Sequence, residues 1–154
     1  MSNATASFPQ HILCLVDGSE EGCRAAHVAG CLARDLSSRL SFVVAAKPVK
    51  PTPELESYLV LEGLTGVEMP LPEAEAEACL QTALTIARDC DVPDPLAQVK
   101  IGTPYEIIAE YQRAEAIDMV VLGHAQWPLL ARATQRPLAG RIIENLKLPV
   151  TLVP

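Results

Sequence analysis

The sequence predicts an α/β fold, an open parallel sheet with helices on both faces, and three observations predict it. Short apolar stretches rich in β-branched residues alternate with longer helical ones. Two of those strands end as strands do at the ligand edge of such a sheet. Ile12-Leu13-Cys14-Leu15-Val16 runs into Asp17-Gly18-Ser19-Glu20, and Ile117-Asp118-Met119-Val120-Val121-Leu122 ends at Gly123. Hydrophobic residues make up 49% of the 154 while aromatics make up only 4%, so the core is built from Ala, Leu, Val and Ile. Such side chains let helices pack closely on a parallel sheet.

Each element follows from its own pattern. His11 to Val16 is a continuous apolar strand. From Ser19 to Ser38, residues Gly22, Ala26, Ala29, Ala33 and Leu36 recur at helical intervals and define one face. Ser19 supplies a capping hydroxyl, and Glu20 and Glu21 put acids in the first turn. Leu40 to Ala46 is the second strand, bounded by Lys47-Pro48. Pro48 to Pro72 is broken by Pro51, Pro53, Gly63, Gly66 and Pro70 and reads as a long surface connection with one helical turn around Leu55 to Leu61. Glu73 to Asp91 is a helix with Ala76, Leu80, Ala83 and Ala87 on one face, and Leu96 to Ile101 is the third strand. Gly102-Thr103-Pro104 turns the chain into a helix ending near Ala114, with Pro104 at a first-turn position. Asp118 to Leu122 is the fourth strand, Pro137 to Leu146 the last helix and Val150 to Val153 the fifth strand. Alternation of this kind implies parallel pairing through right-handed crossovers.

Composition narrows the function. A formal net charge of −7 and a pI near 4.9 argue against nucleic acid or an anionic membrane as partner. No apolar run reaches the roughly 20 residues that span a bilayer. Met1 to Ala6 lacks the charged and apolar regions of a signal peptide. Residues 1–8 are therefore expected to be a disordered lead-in or expression remnant, and 9–154 a single domain. Five cysteines without a Cys-x-x-Cys pair favour free thiols in a reducing, cytoplasmic setting.

The order and spacing of four pieces carry a family resemblance. They are Val16-Asp17-Gly18-Ser19-Glu20, Gly102-x-Pro104, Asp118-Met119-Val120-Val121-Leu122-Gly123 and Pro149-Val150-Thr151-Leu152-Val153. Over residues 9–154 the chain resembles the universal stress protein family. The resemblance implies a five-stranded sheet in the order 3-2-1-4-5 and homodimers paired through the last strand, here Val150 to Val153. Members that bind ATP carry G-x2-G-x9-G-[ST] after the fourth strand, with an acid after the first strand contacting adenine. By that resemblance Asp17 matches the acid, Gly123 the first glycine, and Gln126, Arg136 and Pro137 the remaining motif positions. Arg132 falls where the family is often basic.

Three of those positions depart from the pattern, and the departures have physical consequences. Gln126 has a Cβ that disfavours positive φ and takes up space a phosphate would need. Pro137 removes a hydroxyl and a backbone N–H from a helix start, where an anion would be held. Arg132 and Arg136 bring guanidinium charge, which grips phosphate bidentately but does not rebuild a nest of amides. Asp17 otherwise reads as a turn residue bonding nearby amides, Gly123 as a turn requirement, and Trp127 as a plug for the altered loop.

Cys23, His27 and Cys31 sit four apart along one helix, off its Ala-rich face. The outer pair is about 12 Å apart, so one ion takes two neighbours and needs further ligands from Cys79, Cys90 or His124. A helix flank of small residues is the simpler reading, and no metal is assigned. No G-x-S-x-G, H-E-x-x-H or Walker loop is present, and His124 has no catalytic partner in sequence. The expectation is a non-catalytic regulatory or interaction module with impaired or lost ATP binding, no cofactor, and a protein partner besides its own second copy. The alternatives are a true ATP binder with slow hydrolysis, using Asp17, Gly123, Arg132 and Arg136, and a thiol- or metal-responsive protein.

Overall fold

The computed structural model describes residues 8–46, 72–124 and 138–154. Most of the lead-in and of the Pro48 to Pro72 connection, and also Gln126, Trp127, Arg132, Arg136 and Pro137, lie outside the described residues. The elements are β1 (His11–Leu15), α1 (Glu20–Leu36), β2 (Arg39–Ala46), α2 (Glu73–Asp89), β3 (Leu96–Ile101), α3 (Pro104–Glu115), β4 (Met119–Gly123), α4 (Leu138–Arg141) and β5 (Val150–Val153). All strand pairs are parallel, in the order β3-β2-β1-β4-β5. The expected fold class is therefore the observed one.

The two-residue period of the central strands divides the core. Ile12 and Cys14 of β1, with Phe42 and Val44 of β2, meet the alanine faces of α1 and α2. Leu13, Val43 and Val120 point the other way, onto Ile107 and Ile108 of α3 and Ile142 beyond α4. The α2 face predicted from spacing, Ala76, Leu80, Ala83 and Ala87, is the buried one. Thr103 caps α3 and Pro104 opens it, as its sequence implies. One difference concerns the last helix. Its second half, Ile142–Leu146, is wound as a π-helix, and Gln112 Nε2 donates to the Leu146 carbonyl at 2.7 Å. The apolar spacing gives no sign of that wider turn.

The amino end of the sheet is locked by polar bonds. The Asp118 carboxylate accepts from the amides of Gln10 at 2.8 Å and His11 at 3.0 Å, joining the starts of β1 and β4. Buried His11 donates from Nδ1 to the Glu115 carbonyl at 3.1 Å, since a carbonyl can only accept, so Nε2 accepts from the Ser41 hydroxyl at 2.8 Å. Among the described residues no side-chain lock of this kind joins the carboxyl ends of the strands, which are where this architecture takes ligands. Among the described residues no helix is long and apolar enough to cross a membrane.

Candidate functional site

The site is built at the carboxyl ends of β1 and β4, against the first turn of α1. Asp17 follows β1 directly. Its Oδ1 accepts from the Ser19 amide at 2.9 Å and from the Ser19 hydroxyl at 2.5 Å. The same hydroxyl accepts from the Gly22 amide at 2.9 Å, so Ser19 both caps α1 and holds the carboxylate. Asp17 Oδ2 meets no donor among the described residues. One oxygen thus sets the turn, while the other remains available to an N–H donor.

Two glycines shape this corner. A methyl built on Gly22 would lie 2.5 Å from Asp17 Oδ1, so only glycine leaves room for the carboxylate over the helix start. By spacing alone Gly22 reads as a small residue on a packing face. Its distance of three residues from the capping Ser19 was the signal available. A methyl on Gly123 would lie 2.7 Å from the Glu21 carbonyl carbon, 2.8 Å from its oxygen and 2.8 Å from the Gly22 nitrogen. Gly123 is not among the residues with positive φ. It is glycine here because β4 presses on the backbone of α1, and not because a turn requires a left-handed residue.

The electrostatics of the corner are acidic. Asp17, Glu20 and Glu21 outnumber Arg24, which pairs with the two glutamates at 4.0 and 3.6 Å, and leave net negative charge at the α1 N-terminus, the end an anion would otherwise seek. This edge therefore suits a donor group such as an exocyclic amine, and a phosphate must be held elsewhere. Beside it, between α1 and α2, lies an apolar hollow of about 70 Å³ touched by Val16, Gly18, Cys23, Cys79 and Ile86. Ligand pockets run to about 300–1,000 Å³, so this hollow alone does not hold a nucleotide.

The thiols divide into two groups. Burial, with the Asp17 charge next, pushes the Cys79 thiol up to about 11, and burial pushes Cys14 up further. Neither is a ready nucleophile at neutral pH. The second group lies farther along α1. His27 and Cys31 are brought to Cys90 at the end of α2, and Cys23 stays at the hollow. His124 is exposed after β4, its amide donating to the Val153 carbonyl at 2.7 Å, and it joins neither group. Of the residues proposed for a nucleotide, the structure describes Asp17 and Gly123 at one corner; Gln126, Arg132, Arg136 and Pro137 are outside the described residues.

Comparison with known proteins agrees with this frame. The model of the universal stress protein family matches residues 9–154. No curated protein sequence matches the chain. Among solved structures, a universal stress protein in complex with cAMP superposes with a TM-score of 0.72 at 20% identity, over 96% of this chain and 98% of its own. Universal stress protein UspA from Lactobacillus plantarum gives a TM-score of 0.66 at 20% identity, over 94% and 97% of the two chains. A universal stress protein from Archaeoglobus fulgidus in complex with dAMP gives 0.60 at 14% identity, over 96% and 99%. Likeness at these identities bears on the fold.

Proposed function

The chain belongs to the universal stress protein family, and from that premise we propose that it is a non-catalytic regulatory or interaction module. Its strand-end site takes an adenine nucleotide with one phosphate and has an impaired grip on ATP. The observation that carries this reading is the trio Gln126, Arg136 and Pro137 at the positions where ATP-binding members have two glycines and a hydroxyl. A triphosphate needs a run of backbone donors; Gln126 takes up space beside them, and Pro137 removes one amide and a hydroxyl. A single phosphate needs fewer contacts, which Arg132 and Arg136 can provide as charge. Asp17 supports the adenine end, because its Oδ2 is oriented by the Ser19 bonds and finds no donor among the described residues. Two of the similar solved structures are complexes with cAMP and dAMP, each with one phosphate. Turnover is not expected, since no nucleophile–base pair is found at the corner among the described residues.

Calorimetric titration tests the reading. AMP is expected to bind at least ~10-fold more tightly than ATP with magnesium, a difference of about 1.4 kcal/mol. No phosphate release from ATP should accompany it. Micromolar ATP binding with slow hydrolysis would favour the alternative, in which the two arginines stand in for the missing glycines.

The module is proposed to work as a homodimer in a reducing cytoplasm. Among the described residues no strand pairs with the outer side of β3 or of β5, but the two edges differ. The β3 edge carries Lys100, paired with Glu110 at 3.0 Å, and charge on an edge discourages pairing. The β5 edge, Val150–Val153, has no charge and leaves Leu152 47% exposed. Light scattering should give a dimer for the native chain and a monomer for Leu152→Lys. A native monomer at micromolar concentration would remove the claim.

A further inference from the structure

We propose that His27, Cys31 and Cys90 form a zinc site that clamps the middle of α1 to the end of α2, separate from the strand-end corner. His27 and Cys31 are one helical turn apart, which puts both side chains on the same face of α1. Cys90 is the C-cap of α2, and Gly30 lets it approach: a methyl on Gly30 would lie 3.0 Å from Cys90 Sγ. The three potential ligand atoms all lie within 4.8 Å of one another. Cys90 Sγ is 3.4 Å from His27 Nδ1, and Cys31 Sγ is 3.8 Å from His27 Nε2.

Those separations suit the ion. With Zn–S near 2.3 Å and Zn–N near 2.0–2.1 Å, a tetrahedral site spaces its ligands by about 3.5–3.8 Å. The two sulfurs now face different ring nitrogens, so the imidazole must turn to offer one nitrogen to both. His27 is exposed, and its ring torsion is soft. Neither cysteine is in a disulfide. Two thiolates and a neutral imidazole neutralise a divalent cation, and each thiol releases its proton as the metal binds. Exposure rises from buried Cys90 through half-buried Cys31 to exposed His27, so the ion has an entry path and water completes its fourth position. Arg34, nearly one turn beyond Cys31, is held by Asp35 at 2.8 Å, and its charge also acts on the Cys31 and Cys90 thiols.

Cobalt is the probe, added to the full chain kept reduced and metal-free. Equimolar cobalt(II) should produce a thiolate-to-cobalt charge-transfer band with the intense visible bands of four-coordinate cobalt, and zinc should displace it. His27→Gln and Cys31→Ser lie at accessible positions, and circular dichroism checks that they fold. Each should weaken binding by more than about 100-fold, the upper end of what losing a mere outer-shell partner costs. Cys23→Ser should bind as the native chain does. Absence of the thiolate band in the native chain, its survival in both ligand variants, or its loss in Cys23→Ser would each overturn the proposal. The first result would leave the cluster as sulfur–imidazole hydrogen bonding alone.

Discussion

Gly123→Ala is expected to destabilise the protein by about 3 kcal/mol, the upper end of the usual overpacking penalty. The added methyl would fall 2.7–2.8 Å from three backbone atoms of Glu21 and Gly22. Backbone cannot rotate aside as a flexible side chain can, so either β4 or the first turn of α1 must move. Both are tied down. The middle of β4 pairs with β1 through Val120 and Val121, and α1 is capped by Ser19. At about 2–4 °C per kcal/mol for a domain of this size, Tm should fall by roughly 6–12 °C. Gly18→Ala is the contrast: φ there is +82°, but nothing lies within 4 Å of the added methyl. Its cost is conformational only, about 1–2 kcal/mol. Denaturant unfolding that ranked Gly18→Ala as the more damaging would contradict the close approach of β4 to α1.

The second large effect falls on ligand and not on stability. Asp17→Asn keeps an oxygen that accepts from the Ser19 amide and hydroxyl, so the turn should persist with little loss of stability. It replaces the second carboxylate oxygen by an NH2 that faces an adenine amine donor to donor. AMP affinity should fall at least ~10-fold, about 1.4 kcal/mol. Asp17→Ala removes the turn bonds as well, and its stability should drop by about 0.5–2 kcal/mol, as for a lost helix cap. The pair separates a structural aspartate from a binding one. Unchanged AMP affinity in a stably folded Asp17→Asn would assign the residue to the turn alone.

Much of this was legible in the chain because each signal is local. The α2 core face, the Ser19 cap, Pro104 at the opening of α3 and the β3 and β5 bounds all follow from spacing and residue type within a few positions. The role of Gly123 was not legible, since the atoms that forbid a side chain belong to residues about a hundred positions earlier. Cys90 was legible only as one of three candidates, with Cys79 and His124, for a further ligand. Spacing along α1 links Cys23, His27 and Cys31, whereas the fold replaces Cys23 with a thiol from α2, 63 positions beyond His27. The π winding after α4 leaves no trace in apolar periodicity, because α and π turns bury similar residues over so short a span.

The central claim is that Gln126, Arg136 and Pro137 are what separate this chain from ATP. The most direct measurement is a calorimetric titration of ATP with magnesium into the native chain and into the triple variant Gln126→Gly, Arg136→Gly, Pro137→Ser. The account predicts weak or undetectable ATP binding in the native chain and a gain of at least ~10-fold in the variant, about 1.4 kcal/mol. Micromolar ATP binding by the native chain, or a well-folded variant that binds ATP no better, would contradict it.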